Sequence, residues 1–166
     1  RQLNRGALAE MRSLLMELRP AALVEARMED LLRQLAESLA GRTGMHVEQD
    51  VQKDLHLPKD VHVAIYRIAQ EALSNIVKHA RAKNVTLVLT GQTTSGKTGP
   101  SGITVNLEVS DDGIGFDHTA TKFDHYGLNN MRERAQAIGA TMTIDSQPGT
   151  GTHIKVRWEG KVDVND

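Results

Sequence analysis

The sequence has no cysteine, so disulfides, thiolate catalysis and cysteine-ligated metals are excluded and stability must come from packing. It also lacks an excess of either charge: 20 Lys plus Arg stand against 21 Asp plus Glu, a formal net charge of -1. No global attraction to nucleic acid or to an acidic membrane surface is therefore expected. No apolar run approaches the roughly 20 residues of a membrane helix, and nothing at the N-terminus resembles a signal peptide. A soluble chain is expected. What is present is ordinary globular usage, 166 residues with 39% hydrophobic and 25% charged, enough for one core and an appended element. Arg1 lies inside an amphipathic pattern with no initiator Met, so the chain reads as a piece of a longer protein.

Leu8, Met11, Leu15 and Leu18 form a helical stripe with the narrow seam of a bundle, and the pattern stops at Arg19-Pro20. A boundary is placed there. Met28, Leu31, Leu32, Leu35 and Leu39 predict a second helix, closed by Gly41 and Gly44. Met45, Val47 and Val51 suggest a short strand. Pro58 and Asp60 open the strongest helix, in which Val61, Ile65, Ile68, Ala72, Ile76 and Ala80 hold the period. Val85 to Leu89 and Ile103 to Val109 alternate as half-buried strands do, and Gly91 to Gly102 reads as a mobile hairpin loop. A helix from about Leu128 to Ile138 and two strands, Thr141 to Asp145 and Thr152 to Trp158, complete the pattern. This order predicts an α/β fold with a mixed or antiparallel sheet and helices on one face.

Two nucleotide patterns compete. Residues 91–98 read GQTTSGKT and satisfy the phosphate-loop pattern, nominating Gly91, Gly96, Lys97 and Thr98. That mechanism needs a helix directly behind the loop, whose free N–H groups hold phosphate. Gly99, Pro100, Ser101 and Gly102 follow instead, so the pattern is read as coincidental. The alternative is a series of short motifs. In QEALSNIVKHA, residues 70–80, Glu71 and Asn75 share one helix face with Lys78 and His79 a turn beyond. A carboxylate and a carboxamide side by side can bind Mg²⁺ through oxygen, and Lys78 can meet a phosphate. In SDDGIGF, Asp111 at a strand end can accept from an exocyclic amine, while Gly113 and Gly115 let a ring lie against the backbone. Gly127 then heads a helix in GLNNMRERA, and PGTGT at 148–152 is a second glycine turn.

In this order the motifs resemble the ATP-binding catalytic domain of bacterial sensor histidine kinases, within the gyrase, Hsp90, histidine kinase and MutL group of ATPases. QEALSNIVKHA looks like the N box, DDGIG like the first glycine box, and GLNNMRERA with PGTGT like the later ones. MRSLLMELRP at 11–20 is similar to the end of the second dimerisation helix in the nitrate-sensor subfamily. The resemblance implies an α/β sandwich with ATP and Mg²⁺ under a lid at His118 to Tyr126. It divides the chain into a helix end at 1–20, a catalytic domain at 21–160 and a tail at 161–166. Asn75 would bind Mg²⁺, Glu71 would polarise the attacking group, and Lys78 would touch phosphate with His79 beside the nucleotide. Asp111 would accept from the adenine amine, Gly113 and Gly115 would shape that pocket, and Gly127 would hinge the lid. Leu128, Gly151 and Thr152 complete the implied nucleotide contacts. Asn130 stands where many relatives carry a second Gly, which removes one glycine-mediated phosphate contact.

The resemblance further implies phosphoryl transfer to a His on a dimerisation helix ahead of Arg1. It implies a response regulator as partner, a homodimeric parent, and a cytoplasmic place for this part whether or not the parent is membrane-anchored. Two other functions share the fold: an ATPase using water, and a degenerate module that binds a partner and transfers nothing. Each motif alone also has a plain structural explanation. Glu71 and Asn75 fit a solvated helix face, Asp111 and Asp112 a strand-ending turn, and Pro148 to Thr152 a hairpin turn. The seven His show no pair at metal-site spacing, so no zinc is expected.

Overall fold

The computed structural model describes residues 20–94, 102–117 and 126–161. The expected helix Leu3 to Leu18, most of the expected lid, and Gly96, Lys97 and Thr98 lie outside the described residues.

The elements run α1 (Pro20–Glu25), α2 (Met28–Thr43), β1 (His46–Val51) and α3 (Lys59–Asn75), which continues as a π-helical turn over Ile76–Ala80. Then come β2 (Asn84–Thr94), β3 (Gly102–Asp111), α4 (Tyr126–Ala137), β4 (Thr141–Ser146) and β5 (Thr152–Lys161). The five strands form one sheet in the order β1-β2-β3-β5-β4, parallel between β1 and β2 and antiparallel elsewhere. The expected mixed sheet is therefore found.

Strand alternation decides which face is covered. Along β3, Ile103, Val105, Leu107 and Val109 are buried while Thr104, Asn106, Glu108 and Ser110 between them are only partly so. Register carries that inner row across to Leu87 and Leu89 on β2 and to Ile154, Val156 and Trp158 on β5. On the helices, Leu31 and Leu32 of α2, Ile65, Ile68 and Ala72 of α3, and Met131 and Ala135 of α4 join the same core. The α3 stripe is the reason this helix lies at the centre. Asp60 Oδ1 accepts the Val61 N–H at 2.9 Å in its first turn, where N–H groups otherwise have no partner. α2 ends at Gly44, whose φ of +73° sets the left-handed cap and directs its N–H to the Ala40 carbonyl at 2.9 Å. Gly41 lies inside the helix and does not close it.

Three features differ from expectation. Residues 20–25 are helical, because Leu23 is wholly buried as α1 packs on α3. The helix end at Ile76–Ala80 is wound as a π turn and stops at Arg81 with φ +54°. The expected loop Gly91 to Gly102 is strand at its described ends, where Gly91, Gln92, Thr93 and Thr94 pair with Val105, Thr104, Ile103 and Gly102, while residues 95–101 lie outside the described residues. Composition misled there because ladder hydrogen bonds belong to the backbone and are indifferent to Gly, Gln and Thr side chains that read as turn residues.

Candidate functional site

A cavity of about 490 Å³ opens between the end of α3 with its π turn, the ends of β3 and β5, and α4. Its lining is apolar at Ala72, Ile76, Ala80, Val109, Ile154 and Leu128, with Asp111 and Thr152 as polar groups among them. Asn75, Lys78, His79 and Arg81 line the side formed by the helix end, and Ile114, Gly115 and Phe116 complete the wall. This is an apolar slot with a few convergent polar groups, the usual character of a small-molecule site.

Asp111 occupies the last inward-facing position of β3, continuing the row that ends with Val109, and pairs with Val85 on one side and Thr152 on the other. The strand alternation that builds the core therefore delivers a carboxylate to the cavity. Burial pushes its pKa up, opposed by the Gly113 N–H, which donates to Oδ1 at 2.8 Å, and by the Thr152 N–H, with the Asp112 charge adding to the rise. Asp112 points the other way. Its Oδ1 accepts the N–H groups of Lys83 and Asn84 at 2.8 and 2.9 Å, and its Oδ2 accepts from Asn84 Nδ2 at 2.7 Å. Hydrogen bonds from the Asn84 backbone, its side chain and Lys83 hold Asp112 at about 2. The two adjacent carboxylates thus have opposite duties: Asp112 straps the loop to the start of β2, and Asp111 is left for the cavity.

Around them the backbone closes tightly. The Ile114 N–H donates to the Ala80 carbonyl at 2.8 Å, and the Gly149 N–H to the Ile114 carbonyl at 2.7 Å. Gly151, at φ +79°, lies so close to the Asp111 carbonyl that no Cβ fits. A Cβ on Gly113 would meet the Ala80 carbonyl, and one on Gly115 the Gln147 carbonyl, so both expected box glycines sit where two segments touch. Gly127, in the first turn of α4, lies against the Glu71 carboxylate, and a Cβ there would stand 3.2 Å from Asn75 Nδ2 and 3.3 Å from Oδ1.

Of the residues expected from the sequence, Asn75, Lys78, His79, Asp111, Gly115, Leu128 and Thr152 line the cavity. Glu71 and Gly127 are not in the lining but lie against each other beside Asn75, which is, whereas Gly113 and Gly151 support the wall from behind. Residues that sequence reasoning missed are the apolar lining other than Leu128, Arg81, and Ser146, which is buried under the Gly151 turn and bonded to Thr152. Ser146 carries no motif, and only the β4–β5 register brings it opposite Thr152. The phosphate-loop pattern builds no cradle in the described part. Gly91 sits in β2 with its N–H donating to Gln52 Oε1 at 2.8 Å, and its missing side chain makes room for Leu55.

The sequence matches the family described as histidine kinase-, DNA gyrase B-, and HSP90-like ATPase over residues 60–161. It is 36% identical over 148 residues to the sensor histidine kinase LiaS of Bacillus subtilis, covering 89% of this chain and 38% of LiaS. It is 38% identical over 149 residues to the sensor protein VraS of Staphylococcus epidermidis, covering 89% of this chain and 40% of VraS. The chain thus spans about two-fifths of the length of these curated relatives. In fold it is similar to the histidine kinase domain of the Erythrobacter litoralis EL346 blue-light activated kinase, with TM-score 0.62, 21% identity, and 95% of this chain and 74% of that one covered. It also resembles the Acinetobacter baumannii histidine kinase AdeS, with TM-score 0.57, 14% identity, and 99% and 76% covered. With the match running over residues 60–161, through α3 and the strands β2 to β5, this chain belongs to the histidine kinase-, DNA gyrase B- and HSP90-like ATPase family.

Proposed function

We propose that this chain is the nucleotide-binding catalytic part of a sensor histidine kinase, binding Mg-ATP and passing its γ-phosphoryl group to a histidine on the parent's dimerisation domain. The observation that carries the reading is the make-up of the cavity, whose lining joins Asp111 from the end of β3 to Asn75 and Lys78 from the end of α3 and its π turn, with Glu71 and Asn75 both against Gly127. The adenine amine would donate to Asp111, and Ile76, Ala80 and Ile154 would hold the ring by apolar contact. Asn75 and Lys78 would meet the phosphates, His79 would sit beside the nucleotide, and Leu128 and Thr152 would close on it. Gly113, Gly115, Gly127 and Gly151 act by letting backbone approach closely.

Mg²⁺ fits the donor set, because a hard cation takes oxygen ligands and the Asn75 amide oxygen stands next to a carboxylate. Bound there, it would neutralise phosphate charge. Glu71 would act on the acceptor imidazole as a general base, holding its proton while the ring nitrogen attacks the γ-phosphorus, the bond to the β–γ bridging oxygen breaks and ADP leaves. The remaining work is placement. Residues 1–20 would be the end of the second dimerisation helix, 21–160 the catalytic domain and 161–166 a tail. The nitrate-sensor likeness rests on residues 11–20 alone, and the LiaS and VraS relatives do not support it. A response regulator would receive the phosphoryl group, the parent would be a homodimer, and this part would be cytoplasmic. No helix among the described residues is long and apolar enough to cross a membrane.

The test is a single-turnover assay with radiolabelled ATP and the parent's acceptor helix. Glu71→Gln should bind ATP normally and slow transfer by roughly 10²–10⁴-fold, the typical contribution of a general base. Full-speed transfer would refute that role. Release of inorganic phosphate with no labelled histidine would favour an ATPase using water.

A further inference from the structure

We infer that Ser146 is a positioning residue for base specificity: it fixes the Thr152 hydroxyl as a hydrogen-bond acceptor toward the cavity, so that an amino-bearing purine is selected over one with a carbonyl at that position. The inference rests on the nucleotide reading above.

Ser146 ends β4 and is 5% exposed. Its Oγ lies 2.9 Å from the Gly151 carbonyl, 3.0 Å from the Phe116 N and 3.1 Å from Thr152 Oγ1. A hydroxyl has one proton and two lone pairs. The carbonyl can only accept, so the Ser146 proton goes to Gly151. The Phe116 N–H can only donate, so it takes one lone pair. Thr152 can bond to the remaining lone pair only by donating its own proton. Its oxygen is then left with lone pairs alone, and Thr152 lines the cavity.

Asp111, opposite Thr152 in the β3–β5 register, is also an acceptor when ionised. Two neighbouring acceptors suit an exocyclic amine, which brings two N–H groups. They meet a carbonyl with no proton to share, which leaves buried acceptors unpaired. A freely rotating threonine would turn its proton toward such a carbonyl. Ser146 keeps that proton occupied.

The experiment measures calorimetric affinities of Mg-ATP and Mg-ITP, which carries a carbonyl where ATP has its amine. Wild type should prefer ATP. Ser146→Ala should narrow the ATP/ITP ratio by roughly five- to tenfold, the worth of one hydrogen bond, chiefly by tightening ITP. Ser146→Thr, which keeps the hydroxyl, should hold the wild-type ratio, and Ser146→Ala should add nothing once Thr152→Val has removed the hydroxyl. Thr152→Val alone should narrow the ratio too, which keeps the test available if Ser146→Ala does not fold. An unchanged ratio in Ser146→Ala or in Thr152→Val, or a change that persists without the Thr152 hydroxyl, would overturn the inference. A wild type that binds ATP and ITP equally would instead overturn the adenine reading on which it stands.

Discussion

At the scale of single residues, Asp111 shows function set against stability. Burial raises its pKa above the ordinary carboxylate value, so the folded chain holds this proton more tightly than the unfolded chain does. The cost of keeping the group charged is therefore present at neutral pH and is relieved as pH falls through the raised value. Asp111→Asn keeps an oxygen for the Gly113 and Thr152 N–H groups while removing the charge. It should raise the thermal midpoint of the nucleotide-free protein at neutral pH and weaken ATP binding, as melting curves with and without ATP would record. Asp112 has the opposite sign. Its pKa is lowered from 3.8 to about 2, so its contribution is fully present above 3.8 and is lost as pH falls toward 2. Asp112→Ala should speed hydrogen exchange at the Lys83 and Asn84 amides, and unchanged protection there would deny the strap.

His62 is a third case. It is 7% exposed, its Nε2 has no hydrogen-bond partner among the described residues, and burial lowers its pKa against the raising effects of the Leu23 carbonyl and the Glu29 charge. As pH falls through 6.5 the unfolded chain takes up this proton before the folded chain does, so stability declines. His62→Asn should flatten that decline between pH 7.5 and 5.5 in urea titrations, since an amide N–H can still reach the Leu23 carbonyl.

At the scale of elements, α3 was legible because its apolar stripe repeats at helical spacing, and Glu71, Asn75, Lys78 and His79 could be assigned to its end. The π turn was not legible, because Ile76 to Ala80 has no composition that distinguishes it from α-helix. The turn ends where the Ala80 carbonyl accepts the Ile114 N–H at 2.8 Å across the cavity wall. The β2–β3 hairpin was under-read for the reverse reason: its outer residues look like a loop and are ordered by partners some ten positions away in the chain. The α4 start offers the clearest test at this scale. Gly127→Ala would push against the Glu71 carboxylate and the Asn75 amide, both of which the proposed chemistry uses. Transfer in the reconstituted assay should fall by about tenfold or more, since small misplacements of reacting groups cost up to about 10²-fold, while circular dichroism stays unchanged.

At the scale of the whole molecule, the sheet gives one face to the core and places the end of its inner row in the cavity. The motifs for Asp111 and the glycines were readable because they sit in short contiguous runs. Ile154 and Val109, which line the cavity, and Ser146, which touches it only through Thr152, were not, since strand register alone places them there. The central claim is that this cavity binds adenine nucleotide through Asp111, and calorimetric titration of Mg-ATP into wild type and Asp111→Ala tests it most directly. Saturable binding by wild type, weakened in Asp111→Ala by the equivalent of about 1–3 kcal/mol, is the predicted result. Equal ATP affinity in the two proteins would contradict it.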